Sequence, residues 1–310
     1  MDEFDTSIHC PTWLCFLDQA LRGDQAAIRF LQQWAGYCLT GSTSEQQFLF
    51  VYGPGGSGKS TAINTMADIL SGYAANVETA TLTAQRHARH TTELARLHGV
   101  RMARASETEQ GQAWAESRIK SLTGEDTVTA RFMRRDDFEF RPKFKLTIVG
   151  NYQSRLHNVD EAMKRRMTVL PFEHIPTKKD ESLPSKLKRE WPGILSWMIL
   201  GCLDWQKYGL VRPKVAKDAT DAYFGSQDTF SQWLSECCEL GDQFACLGTE
   251  LWESWQRYAA REGVDAGSRN NTFPESLKRR GFHAIKNSKG LRGRGHVGLQ
   301  LIPNDEDELI

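Results

Sequence analysis

The residues whose types and spacing point most directly to chemistry are Gly53-Pro-Gly-Gly-Ser-Gly-Lys-Ser60, a full match to G-x-x-x-x-G-K-[ST]. Glycines at 53, 55, 56 and 58 leave the backbone free to turn its N–H groups toward one point. A helix N-terminus just after them would add partial positive charge. Such a loop holds phosphates. Lys59 would reach the β- and γ-phosphates of a nucleotide and Ser60 would take Mg²⁺, while Pro54, Ser57 and Thr61 complete the segment. A glycine-rich turn can match this pattern by accident, so the flanking sequence decides. Residues 48–52 (Phe-Leu-Phe-Val-Tyr) are an apolar run of strand length ending directly in Gly53. Helical patterning resumes at Lys59 and runs through Ile63, Met66, Ile69 and Leu70 to Gly72.

Hydrolysis also calls for a carboxylate that completes the metal shell and polarises the attacking water. Glu107 stands just past a weak strand candidate at residues 100–105, with Glu109 as the alternative two residues on. Asn151 follows the clear strand candidate at 144–149 and is placed to orient that water, although a terminal Asn alone is more commonly a turn residue. Acidic residues at element edges are usually only solvated. The shared position at strand ends is what singles these out.

The elements that must position these groups alternate in type. Residues 12–38 read as two short amphipathic helices, the second with Ile28, Leu31, Trp34 and Ala35 on one stripe and Gly41 as its stop. Strands are expected at 48–52, 77–83, 100–105, 144–149 and 168–172, with helical sequence at 59–72, 84–98 and 110–122. This order predicts an α/β domain around a mainly parallel sheet. An apolar helix at 194–209 carries Trp197 and Trp205, and a connector follows at 211–226. A smaller unit comes last, with helices near 229–238 and 249–261 and a third from 273, opened by a Thr272/Glu275 capping box. Residues 282–286, a turn at 287–290 and residues 297–302 make a two-stranded wing, so this unit reads as winged-helix-like. The expected boundaries are 1–44 for the N-terminal helical segment, 45–215 for the ATPase domain and 225–303 for the winged-helix-like domain.

Composition bounds the class. At 310 residues, with 40% apolar and 25% charged, the chain is ordinary soluble globular sequence with room for one large core and a smaller unit. No apolar run is long enough to cross a bilayer, and the acidic start, Met1-Asp-Glu-Phe-Asp, is unlike a signal peptide. A cytoplasmic location without a membrane partner is expected. Seven cysteines without a C-x-x-C pair read as small buried apolar residues rather than as a zinc site at Cys237, Cys238 and Cys246. Net charge is zero, yet Arg269, Lys278, Arg279, Arg280, Lys286, Lys289, Arg292 and Arg294 meet a single acid, Glu275, over that stretch. The average conceals a basic face near the C-terminus.

A series of short motifs runs in order after the loop: Lys120-Ser-Leu-Thr-Gly-Glu-Asp126, Thr129-Ala-Arg131-Phe, Phe138-Glu-Phe-Arg-Pro142, Phe144-Lys-Leu with Asn151, and Arg165-Arg166 with Pro171-Phe172. The series resembles the phage and plasmid primase-helicase family, related to the poxvirus replication helicase, within superfamily 3 of the AAA+ helicases. The likeness extends over residues 12–302. It implies an AAA+ P-loop ATPase using ATP and Mg²⁺, with residues 53–60 as Walker A, Glu107 as the Walker B acid and metal ligand, and Asn151 as sensor 1. Arg165 or Arg166 would be an arginine finger inserted into the next subunit's site. A finger given in trans stabilises transition-state charge only in the assembled ring, which couples hydrolysis to assembly. A hairpin at 132–143 would line the central pore, anchored by Phe132, Phe138, Phe140 and Phe144 and tipped by Arg134 and Arg135. With Lys120, these arginines are the implied single-stranded DNA contacts.

The sequence departs from the family pattern in four places. Arg101 and Arg104 interrupt the Walker B strand, and Glu107-Thr108 stands where an acidic doublet is common. Lys164 replaces a Trp before the paired arginines, and Ser57 stands where Asn is frequent. No catalytic group is lost, but the choices of Glu107 or Glu109, and of Arg165 or Arg166, stay open.

The implied function is an ATP-dependent replicative DNA helicase of a phage, plasmid or mobile element. It would be a homo-hexamer moving 3′→5′ on single-stranded and forked DNA, with a separate primase or polymerase as partner. No segment is long enough to hold the primase that this family often carries, so priming is expected from another polypeptide or from a longer protein of which this chain is a part. Two other classes stay open: a replication initiator or loader that uses ATP only to assemble, and a P-loop kinase acting on a small molecule.

Overall fold

Two helices, α1 (Pro11–Ala20) and α2 (Gln25–Cys38), precede the first strand, β1 (Phe48–Tyr52). The computed structural model describes residues 9–83, 92–106, 113–153, 156, 161–287 and 290–302. After β1 come α3 (Lys59–Leu70), β2 (Ala74–Val77), α4 (Thr92–Ala95), β3 (Met102–Ser106) and α5 (Glu116–Thr123). A hairpin of β4 (Val128–Arg131) and β5 (Asp137–Phe140) leads into β6 (Lys145–Gly150), α6 (Glu161–Arg166) and β7 (Met167–Pro171). Helices α7 (Leu183–Arg189), α8 (Trp191–Tyr208) and α9 (Lys214–Gln227) follow. The chain divides into Met1–Gly225 and Ser226–Ile310.

The first unit is built on a five-stranded sheet of order β2-β3-β6-β1-β7 in which every neighbouring pair is parallel. Parallel neighbours need crossovers, and the helices between the strands supply them. Both faces are covered. Alternation along β1 sends Leu49 and Val51 into one core with α1, α2, α3 and α8, and Phe48 and Phe50 into another with Ile148, Val169, Tyr223 and Phe224.

Helices α2 and α8 pack at backbone distance. A Cβ at Gly36 would lie 2.0 Å from the Cys202 amide nitrogen, and one at Gly201 would lie 2.0 Å from the Gln32 carbonyl oxygen, so only glycine fits either position. The buried Trp34 indole donates to Thr147 Oγ1 at 3.0 Å, tying α2 to β6. The Glu190 carboxylate accepts from the Thr12 and Trp13 amides, satisfying N–H groups that open α1.

Several expectations are corrected. The second strand is Ala74–Val77 rather than 77–83, and Thr79–Thr81 is a 3₁₀ turn. Pairing with β3 selects the edge segment over the β-branched one, as tertiary context commonly does. Of the helix expected at 84–98, Thr92–Ala95 is helical and residues 84–91 lie outside the described residues. The helix expected from 110 begins at Glu116, and Trp114 instead bridges Thr83. The segment read as a connector is α9, whose Ala216, Thr220, Tyr223 and Phe224 recur at helical spacing and are buried. Its Thr220 Oγ1 accepts from the Val169 amide at 3.0 Å, and Tyr223 OH accepts from the Trp114 indole at 2.8 Å.

The second unit has helices α10 (Thr229–Cys237), α11 (Gly248–Arg261) and α12 (Thr272–Arg279). Its sheet is three-stranded and antiparallel, in the order β8 (Cys238–Leu247), β10 (Arg294–Leu301), β9 (Ala284–Lys286). Instead of two strands at 282–286 and 297–302 joined by a turn at 287–290, the sheet pairs Ala284–Lys286 with a longer strand from Arg294 and has β8 as a third strand. The core is aromatic, with Phe230 and Trp233 in ring contact with each other and each with Trp255 and Phe273. The expected capping box is absent. Thr272 is the first helical residue, its hydroxyl accepts from the Ser268 amide, and Glu275 pairs with Arg279 at 2.8 Å.

The basic stretch is partly neutralised in the same way. Arg280 is half-buried against Asp228 at 2.7 Å and lies over the Phe230 ring. Cys10, Cys38, Cys238 and Cys246 are buried, and Cys15 is exposed. No helix of the described residues is long and apolar enough to cross a membrane.

Candidate functional site

The site lies at one edge of the parallel sheet. Tyr52 of β1 is in register with Gly150 of β6, and Val149 of β6 with Ser106 of β3, so three strands end side by side. The carboxyl edge of such a sheet is where α/β folds bind ligands. Gly53 leaves β1 there, its amide donating to the Gly150 carbonyl at 3.2 Å, and Asn151 leaves β6 beside it.

The loop from Gly53 turns into α3 through Gly58, whose φ of 90° lies in the left-handed region that glycine adopts without strain. Gly58 caps the helix without a side chain, so no side chain claims the N–H groups of the first turn. Pro54, Gly55 and Gly56 are exposed, and a Cβ at Gly55 or Gly56 would meet nothing within 4 Å. Open backbone over an uncapped helix start fits a phosphate chain. Ser60, exposed on that first turn, fits a Mg²⁺ ligand; Thr61 beside it is half-buried.

Lys59 is only 5% exposed. Its ammonium donates to the Gly53 carbonyl at 2.6 Å, the Pro54 carbonyl at 2.7 Å, Ser57 Oγ at 3.3 Å and Asn151 Oδ1 at 3.0 Å. The fold therefore brings together the loop lysine and the polar residue at the adjacent strand end.

Glu107 and Glu109 lie outside the described residues; β3 reaches the site edge at Ser106. Of the arginines that interrupt this strand in sequence, Arg101 falls before it and Arg104 sits at its middle with its side chain bonded to neighbouring elements. Arg101 precedes the strand, donating to the Leu39 carbonyl at 2.7 Å and lying over the Tyr73 ring. Arg104 reaches Asn64 on α3 at 2.6 Å and Asn76 on β2 at 2.5 Å.

Arg165 and Arg166 end α6 and differ in direction. Arg165 is exposed, with its carbonyl accepting from Arg212 at 2.5 Å. Arg166 is half-buried and donates to Ala162 of its own helix at 3.1 Å; its Nε meets no partner among the described residues.

The hairpin expected at 132–143 lies earlier, as β4–β5 with its turn over residues 128–140. Arg134 sits in the turn with φ 59°, and the Arg135 amide donates to the Phe132 carbonyl at 3.1 Å. Phe140 and Phe144 are buried and Phe138 is half-buried, as anchors should be. Phe132 is not an anchor; it is 42% exposed. Lys120 lies on the last turn of α5, half-buried, and not on the hairpin.

Sequence reading passed over Lys145, although a lysine opening an otherwise apolar strand is a visible anomaly. It is buried, its ammonium donating to the carbonyls of Thr40 (2.5 Å), Ser42 (3.2 Å) and Lys143 (3.3 Å) and lying 4.7 Å from the Tyr37 ring. Burial lowers its pKa to about 8. Its carbonyl partners hold the segment after α2 against the base of β6, which makes it a structural cation.

A parallel sheet carrying a glycine- and lysine-bearing loop between an inner strand and a helix, at its carboxyl edge, defines the class as α/β. The comparisons narrow the class. A family model described as a family of unknown function (DUF5906) matches residues 51–166, a span that includes the loop, the hairpin, Asn151 and both arginines.

Two viral proteins, each named "Putative helicase", are similar. The one from Frog virus 3 (isolate Goorha) is 27% identical over 235 residues, covering 69% of this chain and 24% of its own length. The one from Acanthamoeba polyphaga mimivirus is 24% identical over 237 residues, covering 70% of this chain and 25% of its own. The chain thus spans about a quarter of the length of these relatives. Solved structures of the NrS-1 C-terminal region share the fold. One has a TM-score of 0.60 at 11% identity, covering 94% of this chain and 76% of that one. Another has 0.55 at 11%, covering 87% and 62%. The chain resembles these viral proteins in sequence and the NrS-1 C-terminal region in fold.

Proposed function

We propose that the chain is the motor of an ATP-driven replicative DNA helicase of a phage, plasmid or mobile element. In this reading the first unit is an AAA+ P-loop domain that works as a homo-hexamer, moving 3′→5′ on single-stranded and forked DNA. The observation that carries it is the loop at the sheet edge with Lys59 against Asn151, both inside the span that the family model matches, in a chain similar to two viral proteins each named "Putative helicase".

Bound ATP and Mg²⁺ supply the phosphoanhydride bond and the charge neutralisation for its cleavage. In this chain the first N–H groups of α3 hold phosphate oxygens and Lys59 offsets their charge. Ser60 and Glu107 are the metal ligands, Glu107 also polarises the water, and Asn151 orients it. Arg165 is the finger given to the neighbouring subunit, because it faces outward while Arg166 is engaged with its own helix. Arg134 and Arg135 neutralise phosphates of the bound strand. The second unit is a winged-helix-like module contacting duplex or a protein partner. A separate primase or polymerase and a cytoplasmic location complete the reading.

Strand displacement on 3′- and 5′-tailed duplexes, with ATPase measured with and without single-stranded DNA, tests this. DNA-stimulated hydrolysis and displacement of the 3′-tailed duplex are expected. Hydrolysis indifferent to DNA would favour a small-molecule kinase, and ring formation without displacement a loader.

A further inference from the structure

The β4–β5 hairpin carries an aromatic ladder that is closed at one end and open at the other. Pairing of Val128 with Phe140 and of Ala130 with Phe138 places these four side chains on one face, and Phe132 continues that face past the last pair. Exposure rises along it. Ala130 and Phe140 are buried, Phe138 is half-buried, and Phe132 is 42% exposed.

The rings are nearly parallel. Phe132 stacks on Phe138 at 5.4 Å and 13°, and Phe138 on Phe140 at 5.9 Å and 29°. His98 closes the inner end, edge-on to Phe138 and Phe140. At the outer end, Phe138 is the one ring contact of Phe132 among the described residues.

The surroundings of Phe132 suit an anionic, aromatic ligand. Its carbonyl is held by the Arg135 amide, which fixes the backbone from which the ring projects. On the opposite face Arg131 pairs with Asp137 at 3.7 Å, so the cations left to meet a ligand are those of the turn, Arg134 and Arg135. A flat ring with one face covered, in a turn that carries Arg134 and Arg135 alongside Asp136, matches how single strands are held: a base adds to the stack while its phosphate meets an arginine.

We propose that Phe132 is a base-stacking platform, so that the hairpin recognises an unpaired nucleobase as well as the phosphates. This rests on the reading of the hairpin as the single-strand contact. Bases within a duplex already stack on each other, so the platform selects single-stranded over double-stranded nucleic acid.

The test uses the full chain and two labelled oligonucleotides of equal length, one of thymidines and one of abasic sites, with affinity read by fluorescence anisotropy across salt concentrations. Phe132→Ala should weaken thymidine binding about tenfold, within the range that alanine substitution shows for base–aromatic stacking. It should leave abasic binding and the salt slope unchanged, and Phe132→Trp should restore the loss. Equal weakening on both strands would show that the ring only supports the hairpin and would overturn the proposal. No weakening on either would overturn it too. The Arg134→Ala/Arg135→Ala double variant should weaken both strands and flatten the salt dependence. If it changes neither, the reading of the hairpin itself fails, and the stacking proposal fails with it.

Discussion

The Lys59 ammonium stands 3.0 Å from Asn151 Oδ1, a bond that joins the first residue of α3 to the residue just past β6. It couples the phosphate-binding loop to the neighbouring strand end. A charged donor in a buried setting strengthens such a contact. Lys59→Ala is expected to abolish ATP hydrolysis, and unimpaired turnover would remove the site assignment. Asn151→Ala should lower kcat about a hundredfold while nucleotide affinity changes less, as expected for a group that acts on the water rather than on the phosphates. Nucleotide titration beside steady-state turnover separates the two.

The outward Arg165 and the inward Arg166 predict opposite phenotypes. Arg165→Ala should retain nucleotide binding and lose hydrolysis by on the order of a thousandfold, the scale of a missing arginine finger. Mixing it with Lys59→Ala subunits should recover activity, since intact sites then meet intact fingers. Arg166→Ala should instead lower the melting temperature, because Arg166 is bonded to the Ala162 carbonyl within α6. Activity that survives Arg165→Ala would transfer the finger to another residue.

Lys145 gives the first unit a pH-dependent stability. Burial lowers its pKa from 10.5 to about 8, Cys38 and Cys202 oppose the shift, and the Arg101 cation adds to it. Between about pH 8 and 10.5 the unfolded chain binds the proton more tightly than the folded one. The Lys145 contribution to stability therefore increases as pH rises through this window, toward a limit on the order of 3 kcal/mol. The neighbouring Cys38 thiol and Tyr37 hydroxyl are both pushed up to about 12, and their stabilisation is lost as pH climbs toward that value. The comparison is with Lys145→Met, in urea unfolding at pH 7.5 and pH 9. The wild-type midpoint should gain on the variant as pH rises, and a constant difference would contradict the assignment.

In the second unit Arg280 is a latch rather than part of a basic face. It donates to Asp228 at 2.7 Å and Ser231 at 3.0 Å, and its guanidinium lies over Phe230. Arg280→Ala should destabilise this unit by about 2 kcal/mol, since it leaves a half-buried carboxylate, still bonded to Ser231, without its cation. Hydrogen exchange across residues 226–302 should rise, with the salt slope of DNA binding unaltered. A change in that slope without faster exchange would return Arg280 to the nucleic-acid surface.

Much of the fold was legible where the signal is local. The run at 48–52 forms β1 over those same residues, because five consecutive apolar side chains can be buried only on both faces of a covered strand. The glycine pattern marks the loop because backbone freedom is a property of the residues themselves, and the alternation of strands and helices announces the parallel sheet. Less was visible where the outcome depends on a remote partner. The β-branched residues 79–83 lost the second strand to Ala74–Val77, whose place is set by pairing with β3. The polar average of α9 hid a buried stripe, and no local signal marked β8, which exists through its pairing with β10.

The loop shows the same division. Its sequence alone determined that a lysine follows a glycine-rich turn at a helix start, since each of those residues acts through its own backbone or charge. That this lysine bonds to Asn151, 92 residues away, was decided by the parallel register of β1 and β6. That Phe132 faces outward rather than anchoring its hairpin was decided by where the β4–β5 pairing ends. Sequence records the chemistry of each group, but burial and contact are properties of pairs, and only the folded chain brings the pairs together.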